Sequence, residues 1–419
     1  MTPGKTLSVT GGNQTMTKDL AQELAQRVQR IKPSPTLAVS ARAEELQAEG
    51  KPIINLSVGE PDFDTPAHIK EAAIKAIQDG HTKYTAVDGF KGLKQAIIDK
   101  FGRENHLNYE LNQILVSCGA KHSIYNLLAA ILNPGDEVII PAPYWVSYPD
   151  MVKLSDGNPV IVKTDFAQHF KMTPAQLNAA ITENTRVVIL NSPSNPTGIG
   201  YTADELKALG EVILRHPGVI VASDDIYEHT IWNNTPFTNI LNACPELYER
   251  CVVINGVSKA YAMTGWRIGY AAGPAKIIAA MKKAQSQSTS NPASISQYAA
   301  QAALEGDQSC TSIMTKAYKE RHDFLIAELQ KIKGIKCLPS DGTFYAFPSV
   351  EGLFSKEAGI SNDIEFAEFL LNKAEIAIIP GSAFGAPGHI RISYATSMKN
   401  VADAVERLRK AVKGLLGNK

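Results

Sequence analysis

Apolar residues along this chain follow two alternating rhythms. Short, near-continuous apolar runs bounded by turn residues predict buried strands at residues 114–117, 137–141, 160–163, 186–191, 219–223, 251–255 and 268–272. Between them, helical spacing predicts helices at 67–79, 91–105, 119–132 and 203–215. Before them, Leu20, Leu24 and Val28 lie four residues apart on one helical face, ended by Pro33 and Pro35. A second helix is expected over 39–48, stopping at Gly50, and a short strand over 53–57. Beyond 272 the rhythm turns helical over 276–329, with a break near Ser290-Asn291-Pro292. After residue 332 it changes again. Strands near 335–338, 343–347, 376–379 and 390–394 alternate with a helix near 364–373, and a terminal helix covers 398–415.

Strands alternating with helices imply an α/β fold whose mostly parallel central sheet is covered by helices on both faces. Such sheets bind ligands at the carboxyl ends of their strands. The altered pattern after 332 implies a smaller α+β domain, joined by the N-terminal segment. At 419 residues, two or three domains are expected, with no internal repeat.

Charge and cysteines narrow the function classes. Lys+Arg and Asp+Glu both number 42, so no bulk field draws nucleic acid or an anionic membrane. No apolar stretch approaches the roughly 20 residues of a membrane span. Five widely spaced cysteines without a C-x-x-C pair imply reduced thiols, a cytoplasmic location and no zinc site. Residues 1–17 are polar and lack the apolar core of a secretory leader. Gly11-Gly12-Asn13 reads as a flexible tail, and Met16 is an alternative start.

Candidate chemistry gathers where strands end. Lys259, in Asn255-Gly256-Val257-Ser258-Lys259, is either a solvated loop lysine or a Schiff-base lysine with Ser258 and Arg267 holding a phosphate. Burial and nearby cations free such an amine as a nucleophile. Asp224 is either a turn cap or the partner of a pyridinium nitrogen, with Tyr227 three residues on. Asn195 lies between Pro193 and Pro196, in a stiff turn that aims its amide. Gly119-Ala120-Lys121 opens a helix whose amides form an anion site. Trp145 offers a face for a flat ring, or packs in the core. Arg391 interrupts an apolar strand, which calls for a structural salt bridge or a carboxylate ligand.

Together these motifs, with Gly59-Glu60-Pro61-Asp62-Phe63 and Lys83-Tyr84-Thr85, resemble the class I aminotransferases of the fold type I pyridoxal phosphate (PLP) enzymes, from about Arg27 to Leu408. The resemblance implies a tail over 1–17, an N-terminal segment shared with the small domain over 18–65, a large PLP-binding domain over 66–309 and a small domain over 310–419. It implies Lys259 as the covalent and proton-shuttling lysine, with Asp224 at the pyridine nitrogen. Tyr227 and Asn195 would meet the ring oxygen, and Trp145 would stack on the ring. Gly119, Ala120, Ser258 and Arg267 would hold the phosphate. Gly256 stands where many members carry serine, leaving the cup to Ser258. Tyr84 would reach the phosphate of a partner subunit, implying a homodimer with shared sites. Arg391 would clamp the substrate α-carboxylate beside Gly59. Lys121, Ser34 and Thr36 would read a second carboxylate, as in the bacterial aspartate aminotransferase branch. The implied reaction moves the amino group of L-aspartate to 2-oxoglutarate, with prephenate as a further acceptor. Aromatic or alanine substrates, a PLP lyase and a non-catalytic regulator are the alternatives.

Overall fold

The computed structural model describes residues 24–33, 35–232, 237–355 and 359–417. In chain order the strands are β1 (Ile54–Asn55), β2 (Ile114–Ser117), β3 (Glu137–Ala142), β4 (Asn158–Lys163), β5 (Thr185–Asn191), β6 (Ile220–Asp224), β7 (Cys251–Gly256) and β8 (Gly269–Ala272). Then follow β9 (Tyr345–Ala346), β10 (Ile376–Ala377), β11 (Ile379–Pro380) and β12 (Ile390–Ser393). Strands β2 to β8 form one sheet in the order β2-β8-β7-β6-β5-β3-β4, in which only β8 runs antiparallel to its neighbours.

The strand side chains show why the sheet is covered twice. Successive residues point to opposite faces. Ile139, Val188, Leu190, Val221 and Val253 pack into one apolar cluster. Their chain neighbours Val138, Ile140, Val187, Ile189, Ala222, Val252 and Ile254 pack into another. Helices Lys91–Lys100 and Ala203–Leu214 feed the first cluster, while Ala120–Ile131 and Ala275–Ser286 feed the second. Both faces are dry, so the strands read as apolar runs rather than alternations.

A third cluster holds the C-terminal part together. It joins Leu325 and Leu329 of helix Ser309–Leu329 to Val401, Val405 and Leu408 of helix Met398–Gly417. The N-terminal segment enters it through Leu56, while β1 pairs in parallel with β10. A three-stranded antiparallel sheet, β11-β12-β9, carries Arg391 and Tyr345.

Several elements differ from the sequence pattern. The helix expected at 39–48 begins at Pro35, since proline fits the first helical turn, where its missing N–H is not needed. The helix expected through 105 turns π-helical over Phe101–Asn105 and ends at His106, with φ of 55°. The long helical region has a second break, so its pieces are Ala275–Ser286, Ser294–Glu305 and Ser309–Leu329. Residues 335–338 make no strand; only Lys336 bridges, to Ser349. Helices Ser147–Leu154 and Pro174–Ala180 were not evident from apolar spacing. Of the first expected helix, only Gln26–Gln29 lies in a described helical turn. Among the described residues, no helix is long and apolar enough to cross a membrane.

Candidate active site

Strands β3, β5, β6 and β7 end on one side of the sheet, above which lies an open cleft. Its walls include Thr36, Gly59, Ala120, Lys121, Trp145, Asn195, Asp224, Tyr227, Ser258, Lys259, Arg267 and Arg391. The structure therefore brings together residues separated by up to 355 positions. Gly119 adjoins this wall through Arg267, whose guanidinium blocks any Cβ there. Tyr84 stands elsewhere, 92% exposed. Ser34 lies outside the described residues.

Lys259 follows β7 and donates from Nζ to the Gly59 carbonyl at 2.5 Å. Desolvation drives its pKa from 10.5 down to about 8; the carboxylate of Glu60 resists this, and Arg391 and Arg267 reinforce it. Asp224 closes β6 and is buried. Burial raises its carboxyl to about 6, against the lowering effect of Tyr148, which donates to Oδ2 at 2.5 Å. Asn191, at the end of β5, donates to the Asp224 carbonyl and accepts from the Asn195 N–H. The turn after β5 is thus tied to β6 through backbone groups.

Behind these residues, buried Glu228 accepts from Asn255 of β7 at 2.6 Å and Asn105 at 2.8 Å, and pairs with buried Lys100. This fixes the segment carrying Asp224 and Tyr227 against the one carrying Lys259. Glu104, Glu228 and His229 converge at metal-like spacing, but the Lys100 ammonium already supplies their positive charge.

Arg391 is 3% exposed. It donates to the Asn195 Oδ1 at 3.1 Å and the Ser57 carbonyl at 2.6 Å, and lies over the rings of Tyr345 and Phe384. Among the described residues its Nε has no partner, and the groups that act on its charge are Tyr345 and Tyr227 rather than an acid. The structural salt bridge is thereby ruled out among the described residues. An isolated buried charge is costly, so the site is built for an arriving anion. A second cation, Lys121, stands 4.9 Å from the Trp145 ring; desolvation first, then Arg267, lower its pKa.

The start of helix Ala120–Ile131 is shaped by close approach. Gly119 has φ of +87°, and Gly269 of β8 lies so near that a Cβ there would strike the Ala120 amide. Arg267, in the left-handed region at φ of 57°, donates to the Thr264 and Cys118 carbonyls. Gly256 also faces Gly269 and Ile268, where a Cβ would sit at a tight 3.0 Å.

Comparison with known proteins decides the family. The model for "aminotransferase class I and II" matches residues 51–408. The chain belongs to this aminotransferase family. It is 58% identical to the aspartate/prephenate aminotransferase of Nitrosomonas europaea over 92% of this chain and 98% of that one. It is 51% identical to the aspartate aminotransferase of Geobacillus stearothermophilus, over 93% and 98%. The solved aspartate aminotransferase of Rhizobium meliloti superposes with a TM-score of 0.90 at 47% identity, covering 93% and 99%. The protein is a PLP-dependent transaminase with the fold type I architecture.

In this aminotransferase the cleft also holds residues that sequence reasoning passed over. Tyr148 lies three residues after Trp145, on the helix that apolar spacing did not show. Tyr345 bonds Tyr227, hydroxyl to hydroxyl, at 2.9 Å. Glu60 accepts from Thr264 at 2.9 Å. Glu60 was visible in the Gly-Glu-Pro-Asp-Phe motif, whereas the two tyrosines carried no signal beyond their apolar surroundings.

Proposed function

We propose that this aminotransferase transfers the amino group of L-aspartate to 2-oxoglutarate, giving oxaloacetate and L-glutamate in two half-reactions. The observation that carries this is Arg391, buried with no acid partner among the described residues in the cleft that contains Lys259, with Lys121 as a second cation. Two cations suit a substrate with two carboxylates. The relatives named as aspartate aminotransferases support the same choice.

The residues present fit PLP. The close approach of Gly269 leaves the Ala120 amide uncovered by a Cβ, with Arg267 beside Gly119, while the Gly119 N–H is bonded to the Ser117 carbonyl, so the Ala120 amide and Arg267 suit a phosphate. Asp224 is a buried carboxyl whose only side-chain donor among the described residues is Tyr148, so a protonated ring nitrogen suits its remaining acceptor capacity. When bound, PLP supplies an electron sink for the charge left on the substrate Cα.

The chain's own groups do the rest. Lys259 would provide a neutral amine as nucleophile, then take the proton from the substrate Cα and return it to the carbon on the other side of the substrate nitrogen. Asp224 keeps the ring nitrogen protonated. Asn195, whose oxygen is held by Arg391, presents its amide N–H groups to the ring oxygen alongside Tyr227. Trp145 covers the ring face. Gly119, Ala120, Ser258 and Arg267 hold the phosphate. Arg391 clamps the α-carboxylate next to Gly59, and Lys121 and Thr36 face the second carboxylate. A second copy of the chain supplies Tyr84 to the phosphate, so the working unit is a homodimer, and the five free cysteines suit a cytoplasmic setting.

Prephenate is proposed as a second amino acceptor, on the strength of relatives named aspartate/prephenate aminotransferase at 58% and 51% identity. The test is spectroscopic. The PLP-loaded protein should show visible absorbance that L-aspartate abolishes and 2-oxoglutarate restores, with oxaloacetate formed. Absorbance that ignores aspartate but responds to alanine or phenylalanine overturns the substrate assignment. Prephenate turnover with glutamate or aspartate as donor decides the second reading.

A further inference from the structure

Tyr345 joins the two halves of the cleft. It comes from β9, beside β12, which carries Arg391. Tyr227 comes from the segment after β6 of the large sheet. The two hydroxyls meet at 2.9 Å, and both side chains are buried. The Arg391 Cζ lies 4.5 Å from the centre of the Tyr345 ring. The Tyr345 hydroxyl also abuts Gly59, where a Cβ would come within 2.8 Å of it.

We propose that Tyr345 is a positioning residue that relays the charge state of Arg391 to Tyr227, and through it to the ring oxygen of bound PLP. This rests on the transaminase reading above. A phenol has one proton to donate. If Tyr227 donates to the ring oxygen, its own oxygen is the acceptor in the pair, and Tyr345 is the donor. A cation over the Tyr345 ring withdraws electron density and strengthens that donation, and hydrogen bonds in a chain reinforce one another. A substrate carboxylate on Arg391 neutralises the cation and weakens both links. The ring oxygen then holds a proton more readily at the moment substrate is seated. Burial keeps both phenols protonated at neutral pH. The charged and titratable groups facing them are Arg391 and Asp224, and those facing the neighbouring Lys259 are Glu60, Arg391, Arg267 and Asp224.

The test is a pH titration of the visible absorbance of the PLP-loaded protein, wild type against Tyr345→Phe, with and without maleate. Maleate supplies two carboxylates and no amine. Losing one link of a hydrogen-bonded chain should raise the free midpoint by about half a unit and shrink the maleate-induced rise by a similar amount. Tyr345→Phe keeps the ring under Arg391, so packing is preserved. Tyr394→Phe, a buried tyrosine bonded to Ser340 and the Thr343 carbonyl, should titrate as wild type. In a Tyr227→Phe background, adding Tyr345→Phe should change nothing further, because the relay runs through Tyr227. A midpoint and maleate shift within about 0.1 unit of wild type in Tyr345→Phe overturns the relay. Wild-type protein with no pH-sensitive absorbance overturns the transaminase reading itself, a separate outcome.

Discussion

Arg391 and Lys121 are the two cations proposed to read substrate, and their surroundings predict different losses. Arg391 is buried and makes directed bonds, so its removal leaves Asn195 Oδ1 and the Ser57 carbonyl without their donor. Arg391→Met should lower kcat/KM for L-aspartate by a factor of about 100 or more, the worth of a bidentate charge-assisted pair, as steady-state kinetics will show. Lys121→Met should lower it less, about tenfold, and leave alanine turnover unchanged. Lys259 adds a pH dependence. Its folded pKa, about 8, lies below the unfolded value of 10.5. Between these values the unfolded chain binds the extra proton, so apo-protein stability gains as pH rises through that window. The neutral amine grows over the lower end of it. Capture of PLP by the apo-protein, followed by visible absorbance, should therefore accelerate as pH climbs through about 8 and then level off.

The strand-to-helix junction at β2 shows how an element shapes the site. Ser117 ends β2, and Gly119 at φ of +87° turns the chain into helix Ala120–Ile131 beside Arg267. Alanine at 119 meets two penalties: roughly 1–2 kcal/mol for a left-handed L-residue, and a Cβ against the guanidinium. Gly119→Ala should weaken PLP binding by about tenfold or more, measured by equilibrium titration of the apo-protein. Gly135→Ala is the control, since Gly135 also has positive φ, at +95°, but nothing lies within 4 Å. It should lower the melting temperature and leave PLP affinity unchanged.

For the whole molecule, the proposed second copy would meet exposed apolar side chains. Tyr84 is 92% exposed, and Ile74 and Ile77, one helical turn apart, are 54% and 53% exposed. Sedimentation equilibrium should return two copies of the 45.3 kDa chain. Tyr84→Phe should weaken PLP retention without separating the subunits. A monomer with full PLP affinity would overturn the shared site.

Much of this was legible in the sequence. The parallel sheet announced itself because strands buried on both faces cannot alternate, and Val187 to Leu190 or Val252 to Ile254 read as unbroken apolar runs. The candidate site residues were legible because Lys259 and Asp224 where strands end, and Arg391 inside β12, stand out against apolar neighbours. Short strands and helix ends were less legible. β1 has two residues and exists only because β10 lies beside it, and the π-helical turns and the second break before Ser309 follow from packing rather than periodicity. Tertiary structure alone decided which polar groups face one another. Tyr148 found Asp224 and Tyr345 found Tyr227 across gaps of 76 and 118 residues. Such pairings depend on distances of a few ångströms between elements remote in the chain. A linear pattern records the apolar face that each element buries, and the packing of those faces sets the distances.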